Sequence, residues 1–288
     1  MAHLLPACLA DSDVLGELLH DRGETSVQLQ LNGIAYNIQE RGTGTQRQLV
    51  FLHDFGSSGR SWDRVIDGLE VIQYLETDVQ CYAPDLRGFG DTAAPATGYT
   101  VADYADDVAT LIDHVGLQCY GLVGHGMGGK IALKLAARRL PGLEVLLLLA
   151  PASPRVEPMP AEERTRLLAG HGDYGVAEAW IQSLAVGGLP DAILAQAVED
   201  VVRTSPAAWH AWLEHGTRED ISPCLAEIEV PVYVLAGEYD RLMPPQLYEQ
   251  EIVAHVEWGH LWVEPAVGHL IPLEAPQAVT NTLHEMLL

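Results

Sequence analysis

The stretch that decides the reading is Tyr120-Gly121-Leu122-Val123-Gly124-His125-Gly126-Met127-Gly128-Gly129. An apolar run from Cys119 to Val123 has the character of a buried strand, and Met127–Arg139 reads as a helix stopped by Pro141-Gly142. Between them, small residues at 124, 126 and 128 spell a strand-to-helix turn of the G-x-S-x-G kind. That turn is so tight that its flanks must lack bulky side chains. At its centre, where such a turn carries a nucleophile, this chain has Gly126.

The same alternation extends outward. Upstream, Ser26–Leu31 and Ile34–Gln39 flank Asn32-Gly33 and predict a β-hairpin. Gln48–Leu52 and Gln80–Ala83 are further strands. Thr100 with Asp103 makes a capping box for a helix carrying Tyr104, Val108, Leu111, Ile112 and Val115, which Gly116 ends. Downstream come strands at Val145–Ala150, Pro231–Ala236 and His260–Glu264, and a closing helix at Pro276–Leu288. Strands alternating with helices predict an α/β fold, a mostly parallel sheet flanked by helices. Residues 155–226 interrupt it with helical stretches and no convincing strand. The expected organisation is an N-terminal extension (1–25), a first core part (26–154), a helical lid (155–226) and a second core part (227–288).

Composition narrows the function classes. Sixteen basic against 40 acidic residues give a net charge of −24. Such a chain is repelled by nucleic acid and by anionic lipid, so neither is an expected partner. No apolar run is long enough to span a membrane, and the N-terminus makes a poor signal peptide. Cys8, Cys81, Cys119 and Cys224 are far apart, with neither a disulfide framework nor zinc-ligand spacing. The expected home is reducing and cytoplasmic, and no metal is expected. The glycines at 124–129 lack the G-x-G-x-x-G spacing of a dinucleotide fingerprint, so no cofactor is expected either.

Five elements in order carry a family resemblance. Besides the turn at 126, Leu52-His53-Asp54-Phe55-Gly56 is similar to an oxyanion-loop H-G-F element, with Asp54 in place of the usual Gly. Pro84-Asp85-Leu86-Arg87-Gly88-Phe89-Gly90-Asp91 is similar to a D-x-R-G-x-G-x-S element. Ala236-Gly237-Glu238-Tyr239-Asp240 ends a strand, and Gly268-His269-Leu270-Ile271-Pro272-Leu273-Glu274-Ala275-Pro276 is similar to a catalytic-histidine loop. The chain resembles the α/β-hydrolase superfamily, in particular its lid-bearing esterases and C–C bond hydrolases, over most of residues 26–288.

The resemblance implies a site built from Gly126 in the nucleophile position, Asp240 as the acid and His269 as the general base. The backbone N–H groups of Phe55 and Met127 would form the oxyanion hole. Asp113 and Glu238 are weaker candidates for the acid. Asp54 is expected to point away and brace its loop. Arg87, His53 and His125 are expected to be structural. Trp180, Trp209 and Trp212 are core residues of the insertion, with an apolar pocket wall as a second role. The ligand is expected to be a small, partly apolar molecule.

Glycine cannot form an acyl-enzyme, and loss of the serine of a triad costs about 10⁶ in turnover. The haloalkane dehalogenase and epoxide hydrolase branches need Asp in that slot, which excludes them at this level. Three readings stay open. Gly126 stands where a working hydrolase had serine; or the site is naturally free of a nucleophile and works by general-base chemistry such as a lyase, cyclase or decarboxylase uses; or the fold binds a small ligand without turnover. On the first, Gly126→Ser is expected to fit with little strain.

Overall fold

The computed structural model describes residues 25–42, 44, 47–73 and 79–287. The expected extension at 1–25, with Cys8, therefore lies almost wholly outside the described residues. Eight strands form one sheet: β1 (Thr25–Leu31), β2 (Ile34–Arg41), β3 (Arg47–Leu52), β4 (Val79–Pro84), β5 (Tyr120–His125), β6 (Leu143–Leu149), β7 (Val232–Gly237) and β8 (Gly259–Glu264). Their spatial order is β1-β2-β4-β3-β5-β6-β7-β8. The pairs β1/β2 and β2/β4 are antiparallel and every other pair is parallel. The first hairpin turns at Asn32 (φ 53°) and Gly33 (φ 78°), with Leu31 facing Ile34. Two positive φ values in a two-residue loop are what the right-handed twist of the strands selects, and Asn-Gly supplies them at least cost.

The helices are α1 (Asp63–Gln73), α2 (Val101–Val115), α3 (Met127–Ala136), α4 (Ala161–Ala169), α5 (Tyr174–Leu184), α6 (Asp191–Arg203), α7 (Pro206–Glu214), α8 (Pro245–Glu251), α9 (Ile271–Glu274) and α10 (Pro276–Leu287). The capping box forms as read: the Thr100 side chain accepts from Asp103 N, and Asp103 returns the bond to the Thr100 backbone. Gly116 closes α2 in the left-handed region, at φ 75°. The sequence reading missed α1 and α8. Helix α1 carries a glycine at its centre, Gly68, where a side chain would meet Thr280 of α10. Helix α8 is seven residues long and opens with Pro245.

Packing places an apolar core on each face of the sheet. Leu49, Phe51, Val123, Leu147 and Leu149 face α1 and α10, and Val50, Leu52, Leu122, Leu146 and Leu148 face α2, α3 and the insertion. Strands buried on both faces read as continuous apolar runs, which is why β5 and β6 were legible without alternation. Helices α4 to α7 stand between β6 and β7. Lys130 of α3 is fully buried, and its ammonium donates to the carbonyls of Arg155 (3.2 Å) and Gly216 (3.1 Å), which flank that insertion. Among the described residues, no helix is long and apolar enough to cross a membrane.

Candidate active site

Four loops meet where parallel strands end, the position at which open α/β sheets bind ligands. Asp54 follows β3, Gly126 follows β5, Asp240 follows β7 and His269 follows β8. The turn at 126 takes φ 49° and ψ −115°. Its flanks have no room: a Cβ at Gly124 would lie 2.6 Å from Gly128 O, and one at Gly128 would lie 2.7 Å from His53 O. The turn thereby aims the N-terminus of α3 at the site.

His269 and Asp240 meet as the resemblance implied, with Nδ1 2.9 Å from Asp240 Oδ2. Asp240 also accepts from the amides of Leu242 (2.9 Å) and Met243 (3.2 Å) and from the Tyr248 hydroxyl (3.2 Å). The histidine loop is fixed by Glu274, which accepts from the amides of Gly268, Leu270 and Val186. The His269 amide donates to Leu184 O at the end of α5, which ties the base to the insertion.

Asp54 departs from expectation. It does not point away from the site. Its Oδ1 accepts from the Met127 amide (2.7 Å), and its Oδ2 lies 3.2 Å from His269 Nε2. The carboxylate therefore fills the space of the absent side chain. A Cβ on Gly126 would overlap it, with even the farther oxygen at 2.7 Å. Two earlier expectations fail with this. The Met127 amide does not face an empty oxyanion hole, because a carboxylate already holds it. A serine at 126 does not fit with little strain. Asp54 thus brings a carboxylate from another loop to the place where position 126 itself has no side chain. The physical cause is the close approach of the β3 loop to the turn after β5, which glycine permits.

Electrostatics follow from this packing. Burial opposes ionisation of Asp54, but His269, with help from His125 and the Met127 amide, outweighs it and holds the carboxyl at about 2. Burial likewise opposes charge on His269, yet Asp240 and Asp54 together push it well above its ordinary value. Asp240 is lowered, burial being outweighed by His269 and by two backbone amides. At neutral pH the site is thus an imidazolium held between two carboxylates. His125 donates from Nε2 to His269 O (2.9 Å), and burial lowers it to about 4, so its ring stays neutral. His53 accepts from Leu86 N (2.9 Å) and donates to Asp54 O (2.7 Å), which holds Asp54 in place from its own backbone. Asp54, His125 and His269 each bring a possible metal-ligand atom within 4.8 Å of one another. Asp54 and His269 are hydrogen-bonded to each other there, and His125 is bonded to the His269 backbone carbonyl.

The site opens to a cavity of about 50 Å³, walled by Phe55, Met127, Trp180, Trp212, Leu242 and Met243, with Asp54, Gly126, Glu157 and His269 among its lining. Phe55 contributes its ring, edge-on to Trp180 and tilted against Trp209. Trp209 itself is buried behind, donating from Nε1 to Leu167 O (2.9 Å). The other candidates stand apart. Arg87 is forked onto Asp107 at 2.7 and 2.8 Å. Glu238 accepts from Ala266 N, and Asp113 is exposed on α2. Glu157 was not foreseen; nothing in its sequence surroundings sets it apart from 39 other acids.

Comparison with known proteins agrees with this fold. Residues 49–282 match the sequence model of the Alpha/beta hydrolase family. A soluble epoxide hydrolase of Corynebacterium sp. (strain C12) is 26% identical over 286 residues, spanning 90% of this chain and 95% of that protein. 3-Oxoadipate enol-lactonase 2 of Acinetobacter baylyi is 23% identical, spanning 90% and 95%. Among solved structures, an esterase from Exiguobacterium antarcticum superposes with a TM-score of 0.82 at 22% identity, covering 91% of this chain and 99% of that one.

Proposed function

The chain belongs to the alpha/beta hydrolase family, and from that premise we propose that it is an enzyme of small, partly apolar molecules that moves protons without a covalent intermediate. One observation carries this: the Asp54 carboxylate occupies the nucleophile's space while hydrogen-bonded to both the Met127 amide and His269. Asp54 is the proton acceptor and His269 the donor. Asp54 takes a proton from a substrate atom, and His269 Nε2 releases its proton to another. That leaves a neutral acid beside a neutral imidazole. Passage of the new proton across the 3.2 Å contact restores the starting ion pair, with Asp240 holding the ring throughout. The net result is a proton shift, the step shared by isomerisation, elimination and cyclisation.

This arrangement weighs against a hydrolase that has simply lost its serine, because the slot is filled. It weighs against a pure binder, because a binder has no need of a buried imidazolium with an acid on each side. A second reading rests on the same observation: a carboxylate at the nucleophile's place can attack an electrophilic carbon and form an ester.

The test uses small molecules whose C–H is acidified by a neighbouring carbonyl, incubated in D₂O and followed by NMR. Deuterium should enter that position with the wild-type protein. Exchange should fall by about 10²–10⁴ in Asp54→Asn and in His269→Ala, the usual contribution of a positioned acid or base. Exchange insensitive to Asp54→Asn refutes the proposal. A mass increment on Asp54 after turnover transfers the assignment to the carboxylate-nucleophile reading.

A further inference from the structure

In the same cavity as the Asp54–His269 pair stands a carboxyl group that the proton shift does not use. Glu157 lies between β6 and α4, its backbone anchored by donation to Thr217 O at 2.8 Å. Its side chain lines the cavity with Asp54 and His269. Its Oε1 is buried and has no hydrogen-bond partner among the described residues. A buried polar atom without a partner is costly, by an amount comparable to a lost hydrogen bond. It is tolerated where something else completes it. Apart from Asp54, His269 and Glu157, the wall is apolar: Phe55, Met127, Trp180, Trp212, Met159 and Leu242.

We infer that Glu157 is a substrate-anchoring residue, a carboxylic acid whose O–H donates to the oxygen of an uncharged carbonyl compound, in a cavity where the Asp54 carboxylate disfavours a carboxylate ligand. This rests on the cavity being the ligand site proposed above. Charge supports it. Burial raises Glu157 to about 7, opposed by Lys130, with Asp54 pushing further up and His269 and Arg164 pulling down; the Tyr248 hydroxyl also feels it. Lys130 forms no ion pair with it among the described residues; its ammonium donates to two backbone carbonyls. Two acids in one cavity are thus driven apart, Asp54 ionised and Glu157 able to hold its proton. A ligand carboxylate entering there would meet the Asp54 carboxylate beside an imidazolium already paired with it, while the Lys130 ammonium is turned to two backbone carbonyls. A neutral carbonyl oxygen would meet a donor, with apolar walls for its hydrocarbon body.

The experiment is ligand titration by tryptophan fluorescence, since Trp180 and Trp212 line the cavity. The probes are propanone and its near-isostere acetate, small enough for a cavity of this size. At pH 6 the ketone should bind and the carboxylate should bind at least tenfold more weakly. Ketone affinity should fall about 3- to 10-fold between pH 6 and 8.5, the worth of one hydrogen bond. Glu157→Gln, which keeps a neutral donor, should bind the ketone at pH 6 within about twofold of wild type and show no such fall. Glu157→Ala should be weak at both pH values. All measurements are repeated in Asp54→Asn, where the pH dependence set by Glu157 should persist even if the proton shift is wrong. Equal or tighter binding of the carboxylate, an alkaline fall that survives in Glu157→Gln, or no ketone binding at any pH overturns the assignment.

Discussion

Restoring a serine to the turn tests whether Asp54 and residue 126 compete for one space. In Gly126→Ser the new Cβ would overlap the Asp54 carboxylate, so the carboxylate must leave. It would then forfeit the Met127 amide at 2.7 Å and His269 at 3.2 Å. Hydrogen bonds to charged groups contribute about 1.5–3 kcal/mol each, and a side chain at φ 49° adds about 1–2 kcal/mol. Relaxation of the loop recovers part of this, so a destabilisation of about 3–5 kcal/mol is expected. In an Asp54→Gly background only the backbone strain remains, about 1–2 kcal/mol. The coupling in the double-mutant cycle should therefore be about 2–4 kcal/mol, read from urea unfolding of the four proteins. Chemistry supplies a second readout. Gly126→Ser alone should label poorly with a fluorophosphonate, because forcing Asp54 out strains the turn and the β3 loop and takes the hydroxyl and His269 out of register. Asp54→Gly/Gly126→Ser should gain one adduct by intact mass, and His269→Ala in that background should abolish it. Additive stabilities, or full labelling of the single serine variant, would refute the steric argument.

Three further outcomes follow from the ionisation pattern and the buried polar contacts. Glu157 binds its proton more tightly in the folded chain than in the unfolded one, so stability falls as pH rises from about 4.5 to about 7. Glu157→Gln should remove that slope and gain about 2–3 kcal/mol at pH 8 in urea unfolding, after allowance for its partial exposure. His125 behaves oppositely: kept neutral down to about 4, it lends stability that is lost as pH falls from about 6.5 to about 4. In the wild type this opposes the Glu157 slope between about 4.5 and 6.5, so His125→Gln should raise the unfolding midpoint on acidification across that range, while the loss from Asp54, between about 3.8 and 2, persists. Arg87→Ala leaves the buried Asp107 without its forked partner and should cost about 3–5 kcal/mol, measured by thermal and urea unfolding.

The fold was legible where local rules and tertiary demand coincide. Asn32-Gly33 can turn a hairpin in few other ways, Thr100 and Asp103 cap a helix wherever one follows, and the apolar runs of β5 and β6 have no solvent-facing side to confuse their reading. The meeting of His269 with Asp240 was legible from the loops that carry them. Asp54 was visible as a departure from the family pattern, yet its direction was misread. Whether a loop carboxylate points outward or inward depends on what the neighbouring turn leaves empty. Gly126 was read as the loss of a nucleophile, and in the folded chain it is also the room that Asp54 uses. Glu157 carried no local signal, because its isolation arises only when the segment after β6 is laid against α3 and the insertion. Gly68 similarly hid α1, since the reason for a glycine there is Thr280, more than 200 residues away.

The buried ammonium of Lys130 works as a clasp: one side chain on α3 holds the carbonyls of Arg155 and Gly216, the two stems of the inserted helices. The chain has only one other lysine, Lys134, a turn further along and partly exposed. An amine reagent therefore meets two side chains with very different access. Acylation of Lys134 clocks the reagent, and acylation of Lys130 clocks how often the stems part. The ratio of the two, read by peptide mass in the presence and absence of a cavity ligand, turns the insertion's opening into a chemical rate.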